Sequence, residues 1–118
     1  MVLALKFFAK GLRNSVEIEF PPYSGDLWAV NNGRDILGDD HPKEESNIIQ
    51  QGKHYGWPYC YESKIFDCSK TEAPAYTFTA HMAPLGLTFY REGRLPKVYE
   101  DSVFIAFHGS WNRSIPAG

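Results

Sequence analysis

The chain has 118 residues, 43% of them hydrophobic and 15% aromatic, with a formal net charge of −2. This composition excludes a disordered chain, its charge balance offers no basic patch for nucleic acid, and no apolar run approaches a transmembrane span. The length admits one ordinary domain with a modest core.

The opening stretch, Met1 to Ala9 (MVLALKFFA), lacks a basic leading region and is interrupted by Lys6, so it reads as strand or strand edge rather than a secretion signal. Met1 is read as an artificial or fragment start. Arg13 and Asn14 follow at the entrance to a strand, where a guanidinium can clamp a carboxylate and the neighbouring amide can add a directional donor. SVEIEF (15–20) and DLWAV with Asn31 (26–31) have the period-2 alternation of strands and flank a PPYSG turn. Asn31, Asn32 and Gly33 can take positive φ, which would turn their carbonyls and amides toward a common point. Beside them Asp35, Asp39, Asp40, Glu44 and Glu45 concentrate negative charge, and Arg34 supplies a cation. Such a loop could hold a hard metal together with an anionic ligand. The same residues also describe a solvated acidic loop of Asp and Asn turns.

KEESNIIQQ (43–51) has room for a turn or two of helix between Pro42 and Gly52, but is expected to be a loop leading into a strand that carries Tyr55 and Trp57. Cys60 and Cys68 face each other across a polar turn, the spacing of a short disulfide; a pair of reduced thiols is the alternative. Further strands are expected over 85–90 and 103–107, with less than one fifth helix in all. SVEIEF, its turn, DLWAV and NNG can be laid over PLGLTF, its turn region, SVFIAF and HG, so that Gly33 matches Gly109. The two lie further apart than the roughly 40–50 residues of a propeller repeat, and the excess falls between Arg34 and Tyr76.

No phosphate-binding glycine loop, His-Glu-x-x-His or nucleophile elbow is present. His41, His54, His81 and His108 are widely spaced and read as structural residues. Asn112-Arg113-Ser114 fits a glycosylation sequon, a short and unspecific pattern.

GLRNSV (11–16), NGRDILGDD (32–40), HYGWPYC (54–60), HMAPLGLTFY (81–90) and HGSWNRS (108–114) occur in one order, and together they resemble the glucose/sorbosone dehydrogenase family. The resemblance implies an all-β fold, namely part of a six-bladed β-propeller with about two blades of antiparallel strands and long loops. Residues 1–118 would be a piece of its C-terminal half, with blade repeats near 11–34 and 76–118 and a long loop insertion over 34–75.

It also implies a quinoprotein that oxidises an aldose or sugar aldehyde by hydride transfer to pyrroloquinoline quinone, with calcium as second cofactor. A small sugar would be the substrate, a separate electron acceptor the partner, and the location periplasmic or secreted. Arg13 and Asn14 match the family's cofactor-contacting pair, and Gly33-Arg34 matches the segment whose main-chain carbonyls bind calcium. His81 and Asn112 match positions facing the cofactor, with Arg113 a further cation nearby. Trp57, Tyr59 and Trp111 would either stack on sugar or quinone or pack between blades. The family's histidine base belongs to an earlier blade and none of the four histidines matches its motif, so no catalytic residue is assigned. Glu17 and Glu19 depart from the family pattern and suggest divergence or an exposed edge. The alternative is a non-catalytic propeller binding carbohydrate or protein; it would have no reason to keep Arg13-Asn14, the Gly33 turn and Asp39-Asp40 together.

Overall fold

A computed structural model describes residues 5–61 and 67–118. Residues 1–4 of the opening stretch and 62–66 of the cysteine turn lie outside the described residues. Among the described residues, six strands form two antiparallel sheets. β1 (Asn14–Glu19), β2 (Leu27–Asn32), β3 (Glu44–Ile49) and β4 (Tyr76–Phe78) form a four-stranded meander in that order, and β5 (Pro84–Tyr90) pairs with β6 (Ser102–Phe107). A 3-10 turn over Lys97–Tyr99 is the only helical element among the described residues. No helix there is long and apolar enough to cross a membrane.

The four strands expected from alternation are β1, β2, β5 and β6. Their two hairpins share an irregularity: the register shifts between Ser15 and Glu17 in β1 and between Pro84 and Gly86 in β5. One residue is bulged out in each case, Val16 and Leu85, at matching places in the two sequences. A bulge there bends the strand as it leaves the loop carrying Arg13 in one hairpin and His81 in the other. β1 is an edge strand, which accounts for the exposed Glu17.

Two readings of the 34–60 stretch are corrected. Residues 44–49 form β3, an inner strand of the first sheet, rather than a loop or helical turn. Tyr55 and Trp57 lie in no strand; His54 makes an isolated bridge with Lys10, and the chain then turns. β3 escapes a pattern search because its buried positions are polar. Glu44 and Asn47 are as buried as Ile49, and Asn31 and Asn47 both donate to Glu45 Oε2, at 3.5 and 3.3 Å. Mutual hydrogen bonding lets polar residues occupy an interior that alternation would assign to apolar ones.

Register places Trp28, Val30, Asn32, Glu44 and Ser46 on one face of the first sheet, since partners across a ladder share a face. That face meets the second sheet: Trp28 packs edge-on to Phe89 at 5.8 Å between ring centroids, and Phe78 likewise to Phe107 at 5.1 Å. On the other face Ala29, Ile49 and Tyr55 form a small core joined by Ala9, Leu12 and Leu27. The segment around Lys10 and Gly11 is fixed there by backbone bonds with Lys53, Tyr55 and Trp57. Cys60 and Cys68 are bonded, with Cα atoms 5.8 Å apart, as their spacing suggested.

Candidate functional site

The loops at one end of both hairpins converge. Asn31, near the end of β2, reaches across to β1, where its Oδ1 accepts the backbone N–H of Arg13 at 3.1 Å and of Asn14 at 2.9 Å. This fixes the corner from which both side chains leave. Arg13 then spans several acceptors. Its Nη1 donates to Asn32 O at 3.3 Å and Gly33 O at 2.5 Å, its Nη2 lies 3.6 Å from Asp35 Oδ2, and the guanidinium stacks 5.6 Å from the centre of a Trp57 ring.

Gly33 is required for a reason other than the one expected. Positive φ is absent from Asn31, Asn32 and Gly33; the first two are strand residues, and positive φ begins at Ile36 and Gly38. At Gly33 a Cβ would meet Pro42 Cγ at 2.9 Å and Lys43 O at 3.2 Å, so close approach excludes a side chain. The Gly33 amide donates to Glu44 Oε2 at 2.6 Å. Glu44 is 3% exposed, and its Oε1 also accepts, weakly, from Ala83 N at 3.4 Å. Burial pushes the Glu44 carboxyl above its ordinary value, more than these amide donors pull it down.

From the second hairpin, His81 adopts a left-handed backbone with φ of 65° and is 5% exposed. Its Nε2 lies 2.8 Å from Gly38 O and its Nδ1 3.3 Å from Asn112 Nδ2. A carbonyl only accepts, so the ring carries its proton on Nε2 and accepts at Nδ1. Asn112 Nδ2 also donates to Asp35 Oδ1 at 3.2 Å, which fixes the amide's orientation. Its Oδ1 is then buried with no hydrogen-bond partner among the described residues. Asn112 is thus engaged in the site, and its sequon is read as incidental.

Arg13, Asn14, Asn32, Gly33, Asp35, Glu44, His81, Ala83, Trp111 and Asn112 line one cavity of about 160 Å³. The structure therefore brings together Arg13, Asn14, Gly33, His81 and Asn112 among the residues singled out from sequence. The side chains of Arg34 and Arg113 point elsewhere, while the Arg34 main-chain carbonyl, the group matched to calcium, follows directly on Gly33. Arg34 donates to Tyr61 OH at 3.2 Å, on the flank where Trp57 packs against Tyr61. Arg113 ties loops together: Nη1 donates to Asp39 O and Ala80 O, and Nη2 lies 3.6 Å from Asp40 Oδ1. Asp39 accepts both the amide and the hydroxyl of Ser114, bonds that hold its carboxyl below the ordinary range. The acidic loop is therefore tied down by cross-loop bonds, and among the described residues no three His, Cys, Asp or Glu are placed to hold a metal. Trp111, at the cavity rim, is 76% exposed in this chain and Tyr59 61% exposed. Sequence reasoning placed Glu44 and Asp35 only in a general acidic cluster; their roles depend on β3 and on the reach of Asn112, which carry no local signal.

Comparison with known proteins gives a family match over part of the chain and several relatives. The TrAA12-like family matches residues 63–118. An uncharacterized protein of Borreliella burgdorferi is 42% identical over 93% of this chain and 32% of its own length. Aldose sugar dehydrogenase YliI of Escherichia coli is 27% identical over 85% of this chain and 28% of its own. A pyrroloquinoline quinone-dependent sugar dehydrogenase of Hypocrea jecorina is 37% identical over 43% of this chain and 15% of its own. The chain spans no more than about a third of these relatives. No solved structure matches it.

Proposed function

We propose that this chain forms one wall of the cofactor pocket in a quinoprotein sugar dehydrogenase, contributing about two blades of a larger β-propeller. The observation that carries the reading is the Arg13-Asn14 corner, held by Asn31 and opening on the same cavity as His81 and Asn112 from the second hairpin. Two distant relatives bearing sugar-dehydrogenase names support it. The cavity is smaller than the roughly 300–1,000 Å³ of sites that enclose a small molecule, as suits one wall of a larger pocket.

The donors present fit the proposed groups. A guanidinium and the Asn14 amide offer the charge and directional donors that a polycarboxylate quinone needs, and the orphaned Asn112 Oδ1, which can only accept, suits a hydroxyl or a hard cation instead. The Asn32 and Gly33 carbonyls already converge on a cationic group, with Asp35 beside it, the oxygen chemistry that suits calcium. When bound, the quinone accepts hydride and calcium polarises its oxygen.

Within this chain, Arg13 and Asn14 bind and orient an anionic carboxylate. His81 keeps the Gly38 and Asn112 loops in place, with both ring nitrogens engaged. None of the four histidines matches the family's base motif, so removal of the sugar hydroxyl proton is assigned to another blade, and this chain alone is expected to show no turnover in a dye-linked aldose oxidation assay. The Cys60–Cys68 disulfide supports a periplasmic or secreted location.

The test is a fluorescence titration of pyrroloquinoline quinone into the complete protein with calcium present, with exposed Trp111 as reporter. R13A should weaken binding by about 1.5–3 kcal/mol, the scale of a charge-assisted hydrogen bond. Unchanged affinity would remove Arg13 from the site and overturn the reading.

A further inference from the structure

Arg13 is assigned to an anionic cofactor, yet its guanidinium lies on the carbonyl proposed for calcium. Nη1 takes Asn32 O and Gly33 O, while Nη2 approaches Asp35. Two backbone carbonyls and a carboxylate surrounding a positive group form the donor set of a hard cation site, here satisfied by a side chain. A carbonyl oxygen has a second lone pair and could accept a metal as well. The guanidinium and a divalent ion would then share one oxygen and repel each other at close range.

We propose that Arg13 is a built-in counter-cation: it occupies the Gly33 carbonyl until an anionic cofactor draws it away, so that anion and calcium binding are linked through this residue. The inference rests on the quinoprotein reading above and adds to it an order of events. Without the anion, calcium must displace Arg13 and leave the guanidinium beside it. With the anion, Arg13 exchanges Gly33 and Asp35 for a carboxylate partner, and the carbonyls become available. The surroundings favour a small swing over a large rearrangement. Asn31 holds the Arg13 backbone amide, Trp57 supports the guanidinium plane, and Asn14 already opens on the cavity. The Gly33 amide stays on Glu44, which holds the peptide unit that carries the Asn32 carbonyl when Arg13 leaves.

The experiment measures calcium affinity of the complete protein by calorimetry, with and without pyrroloquinoline quinone, for wild type, R13Q and R13K. Far-UV circular dichroism checks the fold of each variant. In wild type each ligand should strengthen the other by the same factor, as linkage requires. R13Q without quinone should bind calcium at least about fivefold more tightly than wild type, the low end of common coupling factors, and should show weaker linkage. R13K keeps the charge but cannot span the Gly33 oxygen and Asp35 together, so it should change calcium affinity in the same direction by less. If quinone and calcium bind but neither folded variant gains calcium affinity in the absence of quinone, the counter-cation role is wrong and the functional reading stands. If wild type binds neither ligand, both are wrong.

Discussion

Replacing Glu44 by alanine should both destabilise the protein and change how its stability depends on pH. The carboxylate is nearly inaccessible and ties the Gly33 turn at the end of β2 to the start of β5 through the Gly33 and Ala83 amides. Losing the 2.6 Å bond from Gly33 costs about 1.5–3 kcal/mol, as for a hydrogen bond to a charged group, and leaves a buried amide unpaired. The 3.4 Å contact from Ala83 adds less than about 1 kcal/mol. Relief of the carboxylate's own burial offsets part of the sum, so E44A should lose about 2 kcal/mol near neutral pH, or about 1 M in urea midpoint.

E44Q separates charge from shape. Burial raises the folded-state value of this carboxyl above the ordinary 4.5. The folded protein therefore holds the proton more tightly than the unfolded chain, and the resulting stability is fully present below 4.5 and is lost as pH rises through the raised value. Glutamine does not titrate. The advantage of wild type over E44Q should accordingly shrink as pH rises above the ordinary 4.5 through the raised value in urea titrations, because the other carboxyls contribute equally to both proteins. Parallel stability curves for the two proteins, or an E44A midpoint equal to wild type, would refute the assignment of Glu44 as a buried charged tie.

Reducing the Cys60–Cys68 bond, which closes a loop of sequence separation 8, should cost about 2.5 kcal/mol of stability by loop-closure entropy, read as a lower thermal midpoint with dithiothreitol; an unchanged midpoint would count against it. Two glycines with positive φ should respond differently to alanine. At Gly56 a Cβ would meet Cys60 O at 2.1 Å, whereas at Gly52 nothing lies within 4 Å, so G56A should lose at least about 2 kcal/mol and G52A only about 1 kcal/mol from backbone strain. Equal losses by chemical denaturation would contradict the packing described around Cys60.

Much of the frame was legible because it is written locally. SVEIEF and SVFIAF alternate cleanly, the intervening turns carry glycine and proline, and the hairpins that result even share the place of their bulge. β3 and β4 were hidden for different reasons. β4 has three residues, too few for any period, and pairs with β3 through Glu44, Glu45 and Ser46 rather than through a hairpin partner next to it in sequence. β3 buries Glu44, Ser46 and Asn47, and a buried carboxylate such as Glu44 becomes legible as an interior residue only once its distant partners, the Gly33 and Ala83 amides, are known. The candidate site divides the same way. Arg13, Asn14, His81 and Asn112 were recognisable from motifs, while the fixing of Asn112 by Asp35 and of Gly33 by Glu44 depends on contacts between residues far apart in the chain. Arg113 looks like Arg13 in sequence, but a nearly covered side chain directed at the Asp39 and Ala80 carbonyls gives it a structural role instead.

Gly33 shows how these levels combine. Its amide points at an anion, Glu44, and its carbonyl at a cation, Arg13, so the peptide units on either side of one residue are each held by a charge of complementary sign. The arrangement needs three conditions together: a carboxylate buried by β3, a guanidinium set at the β1 entrance by Asn31, and no Cβ against Pro42. Sequence supplied the glycine but a different reason for it, since positive φ was expected where close packing is found. A charged group that binds backbone in the absence of ligand stabilises the loop and competes with whatever the loop binds. Under the proposed function, the bonds that order this wall would be among those a ligand exchanges.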